Sequence, residues 1–338
     1  MSLPRRSRAV PLLALAAVVI TALLISVLLL PRGDRTLSRT GYMLDTVVTV
    51  TLRDWSDEGT LERVFYEIER LERLFSVGDP ESDLHRLNAN AGNWVELSDE
   101  TCELLERAVD FYELTGGLFD PTVQPLVELW DIAGGGHVPT ADELEEALAL
   151  VDGSQLEVGD MCARLGREGM AVTLGGIAKG YIADRIAELL EGEGVEHAII
   201  DLGHNILLVG SKPDGSPWRV GVQDPDGTGG EYAAVIEADG LSVVTSGTYE
   251  RYFELDGVRW HHVLDPFSGY PSESGLVSAT VVCESSTAAD ALSTACLIAG
   301  AERALELIEE MDGVEVLLID QSGEMYMSDG MGDFLADN

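Results

Sequence analysis

The stretch Thr173-Leu174-Gly175-Gly176-Ile177-Ala178-Lys179-Gly180-Tyr181 combines residue types suited to holding an anion. An apolar run over 170–174, expected as a strand, meets two glycines and then a helical pattern carrying Ile182, Ile186 and Leu189. Glycines at such a junction let backbone N–H groups approach a phosphate, and the helix start favours negative charge. Lys179 adds a point charge in a chain whose only other lysine is Lys212. The spacing is not that of a P-loop, which needs Ser or Thr after Gly-Lys. A glycine turn of this kind also serves simply as a turn.

Other stretches offer metal and proton chemistry. In Ala289-Asp290-Ala291-Leu292-Ser293-Thr294-Ala295, Asp290 and Thr294 lie four apart and share one face of an expected helix. A carboxylate beside a hydroxyl suits a hard cation such as Mg²⁺, although an Asp near a helix start also simply complements the dipole. Arg259-Trp260-His261-His262-Val263-Leu264-Asp265-Pro266 places adjacent histidines at a strand end, where they point to opposite faces. That argues against chelation by both. A single histidine near Asp265 suits proton transfer, and a hydrogen-bonded structural histidine fits the pattern equally. Thr115-Gly116-Gly117-Leu118-Phe119-Asp120-Pro121-Thr122 ends a helix in a glycine turn that presents an aromatic and a carboxylate, as a ring pocket or a plain turn would.

The elements that must position these residues read as α+β. Val48, Val50 and Leu52 alternate with polar residues as in a half-buried strand. Leu61, Val64, Phe65, Ile68 and Leu71 make one helical face. Ser98 can cap a second helix with Cys102, Leu105, Val109 and Tyr112 as its stripe, and Thr140 with Glu143 forms a capping box for a third. Asp239-Gly240 and Asp256-Gly257 are each expected to turn a hairpin. Helices over 288–299 and 301–311 precede a last strand at 314–320. The expectation is mixed and antiparallel sheets with packed helices, in a single compact domain over residues 41–338.

The 338 residues carry 60 Asp and Glu against 21 Lys and Arg, a formal net charge of −39. Such a surface repels nucleic-acid backbones, so no nucleic-acid partner is expected. Acid-rich, lysine-poor usage suits solubility in strong brine. Cys102, Cys162, Cys283 and Cys296 are too widely spaced for a zinc or iron–sulfur site. Arg5, Arg6 and Arg8 precede an apolar run over 9–30, long enough to cross a bilayer. The expected order is a cytoplasmic N-terminus at 1–8, a transmembrane anchor at 9–30, a linker at 31–40 and then the domain on the external face of the cell membrane.

Taken in order, these segments resemble the FAD:protein FMN transferase (ApbE-like) family. The resemblance runs through Met43-Leu44-Asp45-Thr46, Phe75-Ser76, Ser82-Asp83-Leu84-His85-Arg86-Leu87-Asn88, the stretches beginning at Thr115 and Leu174, Thr245-Ser246-Gly247-Thr248-Tyr249, His262-Val263-Leu264-Asp265-Pro266 with Gly269-Tyr270-Pro271, and the stretch beginning at Ala289. It implies FAD as substrate, Mg²⁺ as cofactor, and transfer of FMN to a Thr or Ser hydroxyl of an acceptor protein with release of AMP. The acceptor it implies is a redox or ion-pump subunit. By the same resemblance Met43, Phe75, Leu118, Phe119, Asp120, Thr173 and Lys179 contact FAD. Asp290, Thr294 and the Gly176 carbonyl hold Mg²⁺, and His262 is the catalytic histidine. Thr173 departs from the family's usual Asp, and Gly203-His204 from its usual Gly-Gly. The competing readings are a Mg²⁺-dependent FAD pyrophosphatase and a non-catalytic FAD-binding surface protein.

Overall fold

The computed structural model describes residues 35–336 apart from 226, 228 and 229. The expected anchor at 9–30 lies outside the described residues. Among the described residues, no helix is long and apolar enough to cross a membrane. The chain opens with strands β1 (Thr36–Met43) and β2 (Thr46–Arg53), joined through Leu44 and Asp45 at φ of 54° and 56°. β1 therefore begins inside the stretch expected as a linker. Its polar residues belong to a ladder, with Ser38 Oγ 2.9 Å from Thr51 Oγ1 and Thr40 Oγ1 3.0 Å from Thr49 Oγ1 across the pair.

Helices α1 (Glu58–Leu74), α2 (Asp83–Ala89) and α3 (Asp99–Leu114) follow, with β3 (Val95–Glu96) before α3. α4 (Gln124–Trp130) and α5 (Ala141–Leu148) lead to β4 (Leu156–Gly159) and β5 (Cys162–Leu165). Then come α6 (Ala178–Gly192), β6 (Ala198–Asp201), β7 (Asn205–Val209), β8 (Trp218–Gln223), β9 (Tyr232–Ala238) and β10 (Ser242–Gly247). The last elements are β11 (Tyr252–Leu255), β12 (Val258–His261), β13 (Leu276–Cys283), α7 (Ser286–Ala299), α8 (Ala301–Glu309), β14 (Glu315–Asp320) and β15 (Met325–Met327). Ser98 and Thr140 cap α3 and α5 as their side chains predict, the latter in a complete capping box.

An antiparallel sheet ordered β1-β2-β6-β7-β10-β13-β14-β15 forms the centre. Both of its faces are covered, and alternate residues sort accordingly. Val244, Val281, Val316 and Leu318 face the main helical core, whereas Val243, Val282, Leu317 and Ile319 face a smaller cluster with Trp218, Val220 and Ile236. That second cluster corrects one expectation. Asp239-Gly240 does not turn a hairpin, because β9 pairs with β8 while β10 enters the central sheet. The apolar residues of β9 bury against the outer face of that sheet, which requires the chain to leave one layer and enter another. Asp256-Gly257 does turn a hairpin, β11–β12, with φ of 52° and 80°.

A second correction concerns residues 170–174, which belong to no sheet. Their backbone groups are satisfied elsewhere: Val172 N–H donates to Asn88 Oδ1 at 2.8 Å, Asn88 Nδ2 donates to Val172 O at 2.9 Å, and Thr173 N–H donates to Pro121 O at 2.8 Å. A side-chain amide does the work of a neighbouring strand.

α6 and α7 touch where the sequence places its glycine and hydroxyl residues. A Cβ on Gly180 would stand 2.2 Å from Ser286 O, so no larger residue fits that crossing as it stands. Asp184 of α6 secures the start of α7, accepting from Ser286 N at 2.8 Å, Thr287 N at 2.9 Å and Thr287 Oγ1 at 2.6 Å. Gly180→Ala should therefore force the helices apart and cost about 1–3 kcal/mol or more in urea unfolding. A variant as stable as the parent would show that the crossing tolerates a Cβ.

Candidate active site

The glycine turn starts α6 without a side-chain cap and without an acidic residue in its first turn. Thr173 Oγ1 accepts from Gly175 N at 3.2 Å and so shapes the turn. Gly180 N donates to Asp290 Oδ2 at 2.9 Å, which joins α6 to the carboxylate of α7. Asp290 is only 3 % exposed. Burial raises its pKa, and the Lys179 charge, the Gly180 N–H and the Asn205 amide oppose that rise. One turn on, Thr294 Oγ1 lies 3.4 Å from Asp290 O and 3.5 Å from Ser246 Oγ. A Cβ on Gly176 would stand 3.4 Å from Thr294 Oγ1 and 3.3 Å from Phe119 Cε2, so Gly176 lies directly against Thr294.

Asp290, Thr294 and Gly176 are therefore gathered at one place. Their donor atoms are oxygen, the chemistry a hard cation takes, and a buried carboxylate short of partners is stabilised by one. No cluster of three or more His, Cys, Asp or Glu side chains able to hold a metal occurs among the described residues. A site with one carboxylate leaves positions for phosphate oxygens and water, the usual habit of Mg²⁺. The residues present fit the ion.

Lys179 extends from the same turn and donates from Nζ to Gly203 O at 3.2 Å. Gly203 and His204 both have positive φ, 74° and 62°. Asp201 Oδ1 accepts from Gly203 N at 2.9 Å, which fixes this loop between β6 and β7. His204 Nδ1 lies 2.9 Å from Glu250 Oε1. That contact raises the His204 pKa. For Glu250, burial pushes the pKa up, but the His204 hydrogen bond and the nearby charges of His204 and Lys179 outweigh it and hold it low. A cavity of about 300 Å³ opens here, lined by Asp45, Thr46, Lys179, His204, Glu250 and Arg251 among others. A larger groove of about 430 Å³ beside Leu144, Leu148 and Tyr270 is chiefly apolar and holds none of the expected site residues.

His262 follows β12, its N–H donating to Arg251 O at 3.0 Å. Nδ1 lies 3.2 Å from the same carbonyl, a contact that needs an N–H at Nδ1 and leaves the lone pair on Nε2. Burial lowers the His262 pKa, against the pull of Glu250, so the ring is neutral near pH 7. Its neighbour His261 is buried, faces Ser272 O from Nε2 at 3.1 Å, and has its pKa pushed down to about 4. The adjacent histidines thus divide into one structural and one accessible ring.

The residues expected to contact flavin lie on the other elements around the turn. Met43 ends β1 next to the cavity wall at Leu44 and Asp45. Phe75 is 8 % exposed and meets Tyr181 edge-on at 5.8 Å. Leu118 and Phe119 are buried, with Phe119 against Gly176 and edge-on to Phe111 at 6.5 Å. Asp120 is occupied internally: its carboxylate accepts from Thr122 N at 2.7 Å, Thr122 Oγ1 at 2.6 Å and Gly153 N at 3.1 Å. Sequence reasoning missed Glu250, Arg251, Asp201 and Asn205. Glu250 and Arg251 directly follow Tyr249, where the recognised segment ends, and Asn205 follows the departure at His204.

Residues 44–318 match the model of the ApbE family. This chain belongs to the ApbE family. It is 39 % identical over 290 residues to the FAD:protein FMN transferase of Treponema pallidum, covering 81 % of this chain and 80 % of that one. It is 35 % identical over 276 residues to the enzyme of the same name from Klebsiella pneumoniae, covering 80 % and 85 %. Among solved structures, the ApbE protein of Thermotoga maritima superposes with a TM-score of 0.82 at 33 % identity, covering 90 % of this chain and all of its own. The flavin transferase ApbE of Vibrio cholerae does so with a TM-score of 0.81 at 28 % identity, again over 90 % of this chain.

His204 generates a prediction with a definite sign. Its pair with Glu250 stabilises the fold fully below the ordinary histidine value of 6.5 and fades as pH rises through the raised folded value. The half-exposed side chain keeps that contribution modest. His204→Gly removes the pair and also relieves a left-handed non-glycine backbone, a gain of about 1 kcal/mol. In urea unfolding the variant should gain more stability at about pH 9 than at about pH 5.5. A difference that is flat with pH, or that runs the other way, would refute the pairing.

Proposed function

We propose that this protein is an Mg²⁺-dependent FAD:protein FMN transferase. The observation that carries the reading is the convergence of Asp290, Thr294 and Gly176 beside Lys179, in a family whose relatives bear that name. Bound Mg²⁺ would neutralise the pyrophosphate of FAD and polarise it toward attack. The chain's own residues do the rest. Lys179 and the N–H groups at the start of α6 hold phosphate oxygens. Neutral His262 takes the proton of the acceptor's Thr or Ser hydroxyl at Nε2. The hydroxyl oxygen bonds to the phosphorus of the FMN half, the bond to the AMP oxygen breaks, and AMP leaves with the electron pair of that bond. Met43, Phe75, Leu118, Phe119, Thr173 and the loop that Asp120 braces stand on the flavin side.

The location we propose follows the basic residues Arg5, Arg6 and Arg8 and the apolar run at 9–30, which suit an uncleaved membrane anchor with the catalytic domain outside. The acceptor would then be an externally facing redox or ion-pump subunit.

The experiment is incubation of the protein with FAD, Mg²⁺ and a membrane fraction, followed by in-gel detection of covalent flavin fluorescence and assay of AMP. Labelled bands together with AMP are expected. Free FMN and AMP without a labelled band would make the protein a pyrophosphatase. His262→Ala should lower the rate of labelling about 10²–10⁴-fold while FAD still binds; labelling at the parental rate would remove His262 from the chemistry.

A further inference from the structure

Behind Asp290 runs a line of fully buried polar side chains, Ser242, Ser286 and Asn205, all at 0 % exposure. They come from three elements: β10, the first residue of α7, and the first residue of β7. Ser242 Oγ donates to Ser286 Oγ at 2.9 Å, and Ser286 Oγ donates to Asn205 Oδ1 at 2.8 Å. Ser242 Oγ also lies 3.2 Å from Ile206 O, so its single proton is shared between two acceptors, while Ser286 gives its own to Asn205. The Asn205 amide presents its oxygen to Ser286. Its Nδ2 then faces away from the serines. That Nδ2 is buried and makes no hydrogen bond of ordinary geometry within the protein. Asp290 stands one turn on from Ser286 along α7, on the same helix face, which sets its carboxyl on the side of the Asn205 amide.

A buried amide N–H₂ without a partner costs about 1–3 kcal/mol, and a carboxylate is the acceptor that best offsets it. The Gly180 N–H already holds Asp290 Oδ2 from the α6 side. We infer that Asn205 is a positioning residue for Asp290, gripping the carboxylate from behind and leaving it turned toward Gly176 and Thr294 to receive the cation. The inference rests on the reading of Asp290 as a metal ligand. It gives the start of β7 a role that neither Lys179 nor His204 supplies. Asn205 touches neither the cation nor FAD; it acts through the orientation and charge of Asp290.

The test is the rise of Tm on adding Mg²⁺ alone to the full-length protein, alongside the Mg²⁺ dependence of FMN transfer. Asn205→Ser removes Nδ2 and should raise the Mg²⁺ concentration at half effect about tenfold, as expected for a lost hydrogen bond to a charged group. Ser286→Ala leaves Asp290 untouched but frees the amide, and should shift the same midpoint in the same direction by a smaller factor. A purely structural role for Asn205 would lower Tm equally with and without Mg²⁺ and leave the midpoint in place, which would overturn the inference. Should Asn205→Ser not fold, an unmoved midpoint in Ser286→Ala would overturn it as well. Asp290→Asn separates the two levels. If it shifts the midpoint and Asn205→Ser does not, only the positioning role falls; if Asp290→Asn leaves the midpoint unmoved, the metal reading and the positioning role fall together.

Discussion

The carboxylate of Asp290 is buried where α6 and α7 cross, and that one group sets terms for its surroundings. An ionised carboxylate in the interior demands donors or a cation, since burial alone favours its neutral form. The donors available here are backbone and amide groups, and they constrain the fold. Gly180 must be a glycine for its N–H to come within reach while Ser286 O packs against the same turn. The start of α7 must be held in register, which Asp184 does through paired N–H groups and a hydroxyl. The central sheet must carry β7 and β10 side by side, so that Asn205 and Ser242 arrive behind the helix. The sheet order, the helix crossing and the polar line thus converge on the same few atoms.

Charge economy explains why lysine appears in this place. With a net charge of −39, the protein surface repels an anionic substrate at long range. Salt shortens that repulsion, to about 8 Å at physiological ionic strength and less in brine. Close to the site the balance is local, and Lys179 sits among Asp201, Glu250 and Asp290. Lys179 and Arg251 together only balance the carboxylates around them and leave little positive charge for a pyrophosphate, which is the electrostatic argument for a divalent ion in the proposed reaction. A cation also relieves the burial cost of Asp290, so the same ion answers both needs.

Much of this was legible in the sequence, for identifiable reasons. Helical periodicity and caps at Ser98 and Thr140 are local signals, and they held. The four-residue spacing of Asp290 and Thr294 is likewise local to one helix. What failed was non-local. Asp239-Gly240 looks like Asp256-Gly257, yet only the second turns a hairpin, because the partner of β9 is settled by which sheet face buries Ile236 and Ala238. Residues 170–174 read as a strand because they form an apolar run, and nothing local announces that Asn88 will satisfy their backbone. Glu250 and Asn205 escaped notice for the same reason. Each is unremarkable in its own segment and acquires meaning only from residues 46 and 81 positions away, His204 and Ser286.

The two histidines near Glu250 show how one carboxylate can yield opposite protonation states. His204 is half-exposed and in direct contact with Glu250, so the contact outweighs desolvation and its pKa rises. His262 feels the same charge without that contact, so partial desolvation wins and its pKa falls. Near neutral pH the first tends toward imidazolium and the second stays neutral. A group that must accept a proton from a hydroxyl has to be neutral. In the proposed reaction the neutral ring is the one suited to take a proton, with Nδ1 of His262 facing Arg251 O and Nε2 free to accept. The distinction depends on Glu250 remaining ionised, which His204 and Lys179 both favour. His204 is therefore coupled, through Glu250, to the basicity of a histidine it does not touch.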